Sequence, residues 1–277
     1  MDKPAGMTSH DVVAQVRRRF RTRAVGHTGT LDPFATGLLV LVLGGATRLA
    51  RFVEAERKVY RAEARLGVAT DSDDLTGRPL GEPWSGEWPT REAVVAALTG
   101  MIGPSLQRPP AYSAKQVGGE RSHRVARRGG SLELAPAAVM IHAVTLLEYR
   151  PPVLVWRAEV GPGTYLRAMA RDLGQALGTG GHLTALRREA VGRFRVEAAS
   201  SLDQLTGTEA LIAPAALVEH LPRIEVGQED GARLRHGQRV GSSEGAAGPV
   251  ALIEGGHLVA IGEPRDGQWQ PIVVLAA

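Results

Sequence analysis

Apolar residues recur along the chain with two different periods, and each period marks a kind of element. Thr8-Ser9-His10-Asp11 places a hydroxyl three residues before an acid, the signature of a helix start. Val12, Val13, Val16 and Phe20 follow at helical spacing, with arginines on the opposite face. Leu38 to Leu43 is a short apolar run bounded by glycines, which predicts a buried strand, and Ala46 to Ala55 predicts a helix. Tyr60, Ala62, Ala64 and Leu66 alternate with Arg61, Glu63 and Arg65, the pattern of a half-buried strand. Thr90 to Leu98 reads as a short helix with Thr90 as its N-cap and Gly100 beyond its end. Val139 to Tyr149 and Val153 to Val160 read as neighbouring strands. Leu166, Met169, Ala170, Leu173 and Leu177 then form one stripe of an amphipathic helix.

The gaps in these patterns set the organisation. Asp71 to Pro89 is polar and turn-rich. Gln107 to Gly130 has little periodicity and many basic residues, and it predicts a mobile, exposed insertion at about 105–130. Composition shifts near Leu221-Pro222. Beyond it, Val250 to Ile253, His257 to Ile261 and Ile272 to Leu275 read as short strands split by glycine-rich turns. The expected division is a domain over 1–222 and a small β domain over 223–277. The fold class is α/β (α+β): strands in consecutive hairpins predict a mixed, largely antiparallel sheet flanked by helices.

Composition narrows the chemistry. The chain has 277 residues, 43% hydrophobic, so a sizeable core can be buried. Aromatics are only 4%, so that core must be built from Leu, Val and Ala. The absence of cysteine removes disulfides, thiolate nucleophiles and cysteine-ligated zinc. The sequence holds no apolar run of about 18 residues, and Met1-Asp2-Lys3-Pro4 leads into no apolar signal region, so a soluble cytoplasmic protein is expected. Net charge is +4. Arginines cluster at 17–19, 21 and 23, at 121, 124, 127 and 128, and at 187–188. Together these clusters point to a polyanionic partner, because the guanidinium fork suits phosphate.

Several common chemistries fail on inspection. The sequence has no phosphate-loop motif, no dinucleotide fingerprint, no H-E-x-x-H, and no H-x-E with paired cysteines. Gly241-Ser242-Ser243-Glu244-Gly245 matches the serine-hydrolase pattern but lacks the strand before it and the helix after it, so it reads as a linker. The informative stretch is Gly26 to Gly37. Asp32 precedes Pro33, which drives it toward extended backbone, and glycines on both sides permit tight turns. Taken alone, Asp32-Pro33 is a turn, Arg167 a surface arginine, Tyr60 and Leu186 core residues, and His27 a turn residue.

Gly26-His27-Thr28-Gly29-Thr30-Leu31-Asp32-Pro33-Phe34-Ala35-Thr36-Gly37 with Leu38-Leu39 resembles the catalytic signature of the TruB family of tRNA pseudouridine synthases. Further motifs of that family occur in order. They are Lys3-Pro4-Ala5-Gly6-Met7-Thr8-Ser9; Lys58-Val59-Tyr60-Arg61; Pro110-Ala111-Tyr112-Ser113-Ala114-Lys115; Gly163-Thr164-Tyr165-Leu166-Arg167 with Asp172-Leu173-Gly174; and His182 through Arg188. The similarity covers the first 200 residues, and the tail resembles, less specifically, the small β-barrel-like PUA RNA-binding domain. Two departures stand out. Only Met1 and Asp2 precede Lys3 where relatives carry a short strand, and His123 occupies an aromatic position of the insertion, which leaves a stacking role there open.

The resemblance implies a tRNA-modifying isomerase that converts uridine 55 of the T loop to pseudouridine after flipping it out of the stack. It implies Asp32 as the nucleophile, Arg167 as the guanidinium that holds its pKa down, and Tyr60 stacked on the base and assisting proton removal at C5. Tyr165 and Leu186 would wall the base, and His27 would contact the surrounding RNA loop. No cofactor, no metal and no obligatory protein partner is implied, and a monomer is expected. A pure RNA-binding module, or a relative dependent on a guide RNA, are the competing readings. Attack at C6, attack at C1′ and a glycal route all remain open.

Overall fold

A computed structural model describes residues 1–112, 116–117, 120–121, 135–242 and 247–275. In chain order the elements are β1 (Asp2–Lys3), α1 (Ser9–Arg19), β2 (Val25–His27), β3 (Thr36–Leu38), β4 (Leu41–Leu43), α2 (Ala50–Glu54) and β5 (Lys58–Leu66). Next come β6 (Ala69–Thr70), β7 (Pro79–Leu80), α3 (Arg91–Thr99), β8 (Gly103–Gln107), β9 (Gln116–Val117), β10 (Glu120–Arg121), β11 (Ala137–Arg150) and β12 (Val153–Val160). They are followed by α4 (Leu166–Ala176), β13 (Gly181–Val191), β14 (Phe194–Arg195), β15 (Arg223–Glu225) and α5 (Gln228–Arg235). The chain closes with β16 (Val240–Gly241), β17 (Val250–Glu254), β18 (His257–Arg265) and β19 (Gln268–Val274). Two compact units result, neither continuous in sequence: residues 1–7, 31–38 and 56–199, and residues 8–30, 39–55 and 200–277.

The first unit is built on the sheet β1-β3-β13-β5-β12-β11-β8, with β14 paired to β13. Every pairing is antiparallel except that of β3 with β13, so the sheet is the mixed, largely antiparallel one expected. Alternation along β5 sorts its residues to two faces. Tyr60, Ala62, Ala64 and Leu66 are buried, while Arg61 and Arg65 are exposed. On the charged face Arg57 meets Glu159 at 3.0 Å and Arg157 meets Glu189 at 2.7 Å. These are solvated pairs that contribute little to stability. On the apolar face α4 packs, and its approach requires glycine: a Cβ at Gly174 would lie 2.4 Å from backbone atoms of Gly180 and Gly181. Gly37 meets a second such requirement. Its φ is +101°, and a Cβ there would lie 2.3 Å from the Arg188 carbonyl oxygen, so only glycine lets β3 pair with β13.

In the second unit α1 starts as its sequence demands. Asp11 N–H donates to the Thr8 hydroxyl at 3.1 Å, and Thr8 N–H donates back to Asp11 Oδ2 at 2.9 Å. Val12, Val13 and Val16 are buried, β2 pairs antiparallel with β4, and the tail forms the five-stranded sheet β15-β17-β18-β19-β16 with α5 against it. Leu234, Val240, Val250, Leu252 and Trp269 make its core. The N-terminal segments join this unit directly: Arg48 Nη1 donates to the Val274 carbonyl at 2.9 Å.

Two expectations change. The apolar run Leu38 to Leu43 is two short strands, because Leu39 and Val40 leave the ladder yet stay buried where the chain passes from one unit to the other. Its apolarity reports burial, not pairing. Ala46 to Ala55 is a 3₁₀ stretch, Gly44–Leu49, followed by α2. The segment at Asp71 to Pro89 is exposed for most of its length, but Ser72, Asp73 and Asp74 are buried. The insertion expected at about 105–130 lies in large part outside the described residues, as do His123 and Ser243 to Gly245.

Candidate active site

Within the first unit, Asp32 sits in the loop entering β3, and that loop is held from below. Lys3 is fully buried, and its ammonium donates to the carbonyls of Pro4 at 2.8 Å, Met7 at 2.6 Å and Pro33 at 3.2 Å. Gly6 N–H donates to the same Pro33 carbonyl at 2.8 Å, and Ala35 N–H turns back onto the Asp32 carbonyl at 3.1 Å. The residue after Asp32 is thus fixed by two donors, and the carboxylate is presented on a stiff turn.

Arg167 faces it from the second residue of α4, with its side chain only 5% exposed. Nη2 donates to Asp32 Oδ1 at 3.2 Å and to the Tyr112 carbonyl at 2.9 Å. Nη1 donates to Asp74 Oδ2 at 3.3 Å and to the Ser72 carbonyl at 3.2 Å. Nε lies 3.0 Å from Asp32 Oδ2 but is not aligned for a hydrogen bond. One buried guanidinium therefore serves two carboxylates. Asp74, also 5% exposed, is itself satisfied through Oδ1 by the hydroxyls of Ser72 at 2.8 Å and Thr76 at 2.6 Å and by Thr76 N–H at 2.9 Å. Beside it Asp73 adopts φ +61°, a left-handed turn that sends neighbouring acids to different arginines: Asp73 meets Arg171 at 2.9 Å. Arg171 also binds Asp172 at 2.8 Å and donates to the Arg108 carbonyl at 2.9 Å.

This arrangement corrects the expected electrostatics of Asp32. Burial pushes its carboxyl above the ordinary value; Arg167 pulls it down, Asp74 pushes it up again, and Lys3 pulls it down. Desolvation wins because the single guanidinium is shared. The carboxyl is still reachable, with 31% of the side chain exposed.

The other candidate residues fall as follows. Tyr60 is buried on β5 beside Ala158 of β12 and Arg188 of β13. Leu186 is buried opposite Ala62, one pair along on the same face and so diagonal to Tyr60. Tyr165 is the N-cap residue of α4 and half-buried. The first unit contains Asp32, Tyr60, Arg167, Tyr165 and Leu186; of these Asp32 meets Arg167, and Leu186 lies diagonal to Tyr60. His27 belongs to the second unit, where it ends β2 opposite Leu41 and its Nδ1 accepts from Gly29 N–H at 3.4 Å. Sequence reasoning missed Asp74. Its one local trace, the polar run Asp71 to Asp74 with no basic neighbour before Arg78, says that a cation is needed but not which of the three acids it serves or where it comes from.

Comparison with known proteins gives this geometry its class. Two solved structures superpose over the whole chain: a Cbf5-Nop10-Gar1 complex, with TM-score 0.75, 25% identity and 82% of that chain covered, and an H/ACA RNP bound to a substrate RNA containing 2′-deoxyuridine, with TM-score 0.76, 23% identity and 84% covered. The fold is that of the pseudouridine synthases. The model of the TruB family pseudouridylate synthase N-terminal domain matches residues 17–166, and that of the tRNA pseudouridylate synthase B C-terminal domain matches 167–219. A relative named tRNA pseudouridine synthase B from Thermobifida fusca is 43% identical, covering 100% of this chain and 97% of its own. One of the same name from Solibacter usitatus is 42% identical, covering 99% and 98%. The chain belongs to the TruB family of pseudouridylate synthases and is an isomerase of that class.

Proposed function

We propose that this enzyme isomerises uridine 55 in the T loop of tRNA to pseudouridine, with Asp32 as its nucleophile. The observation that carries the reading is the Asp32–Arg167–Asp74 array: a reachable carboxylate on a fixed turn, backed by a buried guanidinium at 3.0 Å. The reaction breaks the N1–C1′ bond, turns the uracil, and joins C5 to C1′; the C5 proton leaves and N1 gains one. Nothing is oxidised or transferred from outside, so one nucleophile and a place for the base suffice. Attack at C6, attack at C1′ and the glycal route each use the same carboxylate.

The target base must leave its stack, at a cost of a few kcal/mol. Tyr60 and Leu186, neighbours on one buried face, together with Tyr165 at the head of α4, supply an apolar place that offsets it. His27 would contact the opened RNA loop. The tail at 223–277 acts as a PUA-like RNA-binding domain beside a catalytic domain at 1–222, and the exposed Arg18, Arg21 and Arg23 of the first cluster neutralise phosphate, whereas Arg188 is buried and donates to the Leu38 carbonyl. Among the described residues no helix is long and apolar enough to cross a membrane. We place the enzyme in the cytoplasm as a monomer working without a cofactor or an obligatory protein partner.

A pseudouridine assay on unmodified tRNA transcript tests this. Wild type should form product, Asp32→Asn none while still binding RNA, and a transcript with cytidine at position 55 should be inert. Equal product from wild type and Asp32→Asn removes Asp32 as nucleophile.

A further inference from the structure

Arg167 owes its position to the start of α4, and the start of α4 is held by a residue with no part in the chemistry above. Tyr165 caps this helix without any side-chain cap of its own. The missing contact is supplied by Gln107, which is buried and lies at the end of β8. Tyr165 N–H donates to Gln107 Oε1 at 2.8 Å, and Gln107 Nε2 donates to the Tyr165 carbonyl at 3.1 Å. The amide orientation follows without ambiguity, since a backbone N–H only donates and a carbonyl only accepts. The Tyr165 carbonyl also accepts the first helical bond, from Met169 N–H at 3.1 Å. One side chain thus grips the N-cap residue of α4 at both its backbone polar atoms, two residues before Arg167.

The grip is at a particular place in the chain. Gln107 pairs with Ala137 of β11, so the chain departs into residues 108–136 and returns from them at this pair. The next residues tie to the same helix: the Arg108 carbonyl accepts from Arg171, and the Tyr112 carbonyl from Arg167, both at 2.9 Å. We infer that Gln107 is a positioning residue for the isomerisation: by clamping Tyr165 it sets the placement of Arg167 against Asp32, and it fixes the neck of the 108–136 segment to the helix that bears the catalytic guanidinium. This inference rests on the reading of Asp32 as nucleophile.

The test uses the full chain with a T-arm stem-loop RNA carrying the target uridine, and compares wild type, Gln107→Met, Gln107→Glu and Asp32→Asn. Methionine keeps the length and removes both hydrogen bonds. The carboxylate introduced by Gln107→Glu can accept from Tyr165 N–H but opposes the Tyr165 carbonyl. At saturating RNA, the single-turnover rate of Gln107→Met should fall on the order of 10- to 100-fold, the size expected when a catalytic group is displaced by about 1 Å. RNA affinity should stay within about 3-fold, which is small beside that rate loss. The acidic limb of its rate–pH profile should move to higher pH, because a loosened Arg167 no longer pulls Asp32 down as strongly. Gln107→Glu should lose less, having kept one bond. A saturated rate within about 2-fold of wild type in either folded variant, or a melting-temperature drop with the rate and pH limb unmoved, overturns the inference. Full product from Asp32→Asn would instead overturn the reading beneath it. If Gln107→Met does not fold, Gln107→Glu alone decides by the same criteria.

Discussion

Ionised Asp32 is costly to the fold at neutral pH. Its carboxyl titrates above the ordinary value of about 3.9 because burial outweighs its share of Arg167. The sign of the linkage follows: a raised folded-state pKa favours the neutral acid, so the associated stability is present below the unfolded value and is lost as pH rises through the folded one. Asp32→Asn should therefore melt at or above the wild-type temperature at neutral pH, with the two curves approaching each other in acid; a mutant that melts well below wild type at neutral pH would contradict this. Asp74→Ala should behave oppositely. It leaves Arg167 buried with half its compensation, for a loss of roughly 3 kcal/mol that a denaturant titration would read. The sequence made Asp32 and Arg167 legible as a resemblance, since nothing local marks either as functional. Asp74 was not legible, because its role depends on a partner 93 positions away.

Among the elements, alternation and capping were legible and contact was not. β5 and the caps of α1 and α3 stand where their patterns put them, because each depends on neighbours a few residues off. The sequence marks β13 only as a motif and gives no sign of α5: β13 carries Arg187 and Arg188 within a buried ladder, and α5 is short and polar with Gly231 inside it. The packing of α4 on β13 rests on Gly174, a residue that a helical pattern treats as a weakness. Gly174→Ala gains helix propensity yet forces a methyl against Gly180 and Gly181. The clash should win, costing about 1–3 kcal/mol and slowing turnover, since α4 bears Arg167. A melting temperature equal to or above wild type would show that the helix can shift to make room.

For the whole molecule, sequence order and spatial order part company. The composition shift near 222 suggests a boundary, yet residues 8–30 and 39–55 share a compact unit with 200–277. Ending the chain at 222 should strip β18 from Pro214–Val218, where Leu217 and Val218 are buried, and remove the Val274 carbonyl that accepts from Arg48, giving a less soluble protein with a lower, broader melt. A soluble fragment melting like the full chain would make 222 a true domain boundary. The central strand carries a further consequence, for synthesis. β5 takes its two sheet neighbours from β12 and β13, and the nearer of these in sequence begins only at Val153, long after β5 ends at Leu66. At about 5–20 residues per second, both edges of β5 leave the ribosome roughly 5–20 s before a partner exists. During that interval the nascent chain carries an unpaired, half-apolar strand, so its yield in a cell should depend on holdase capacity well before any mature-state stability is at stake.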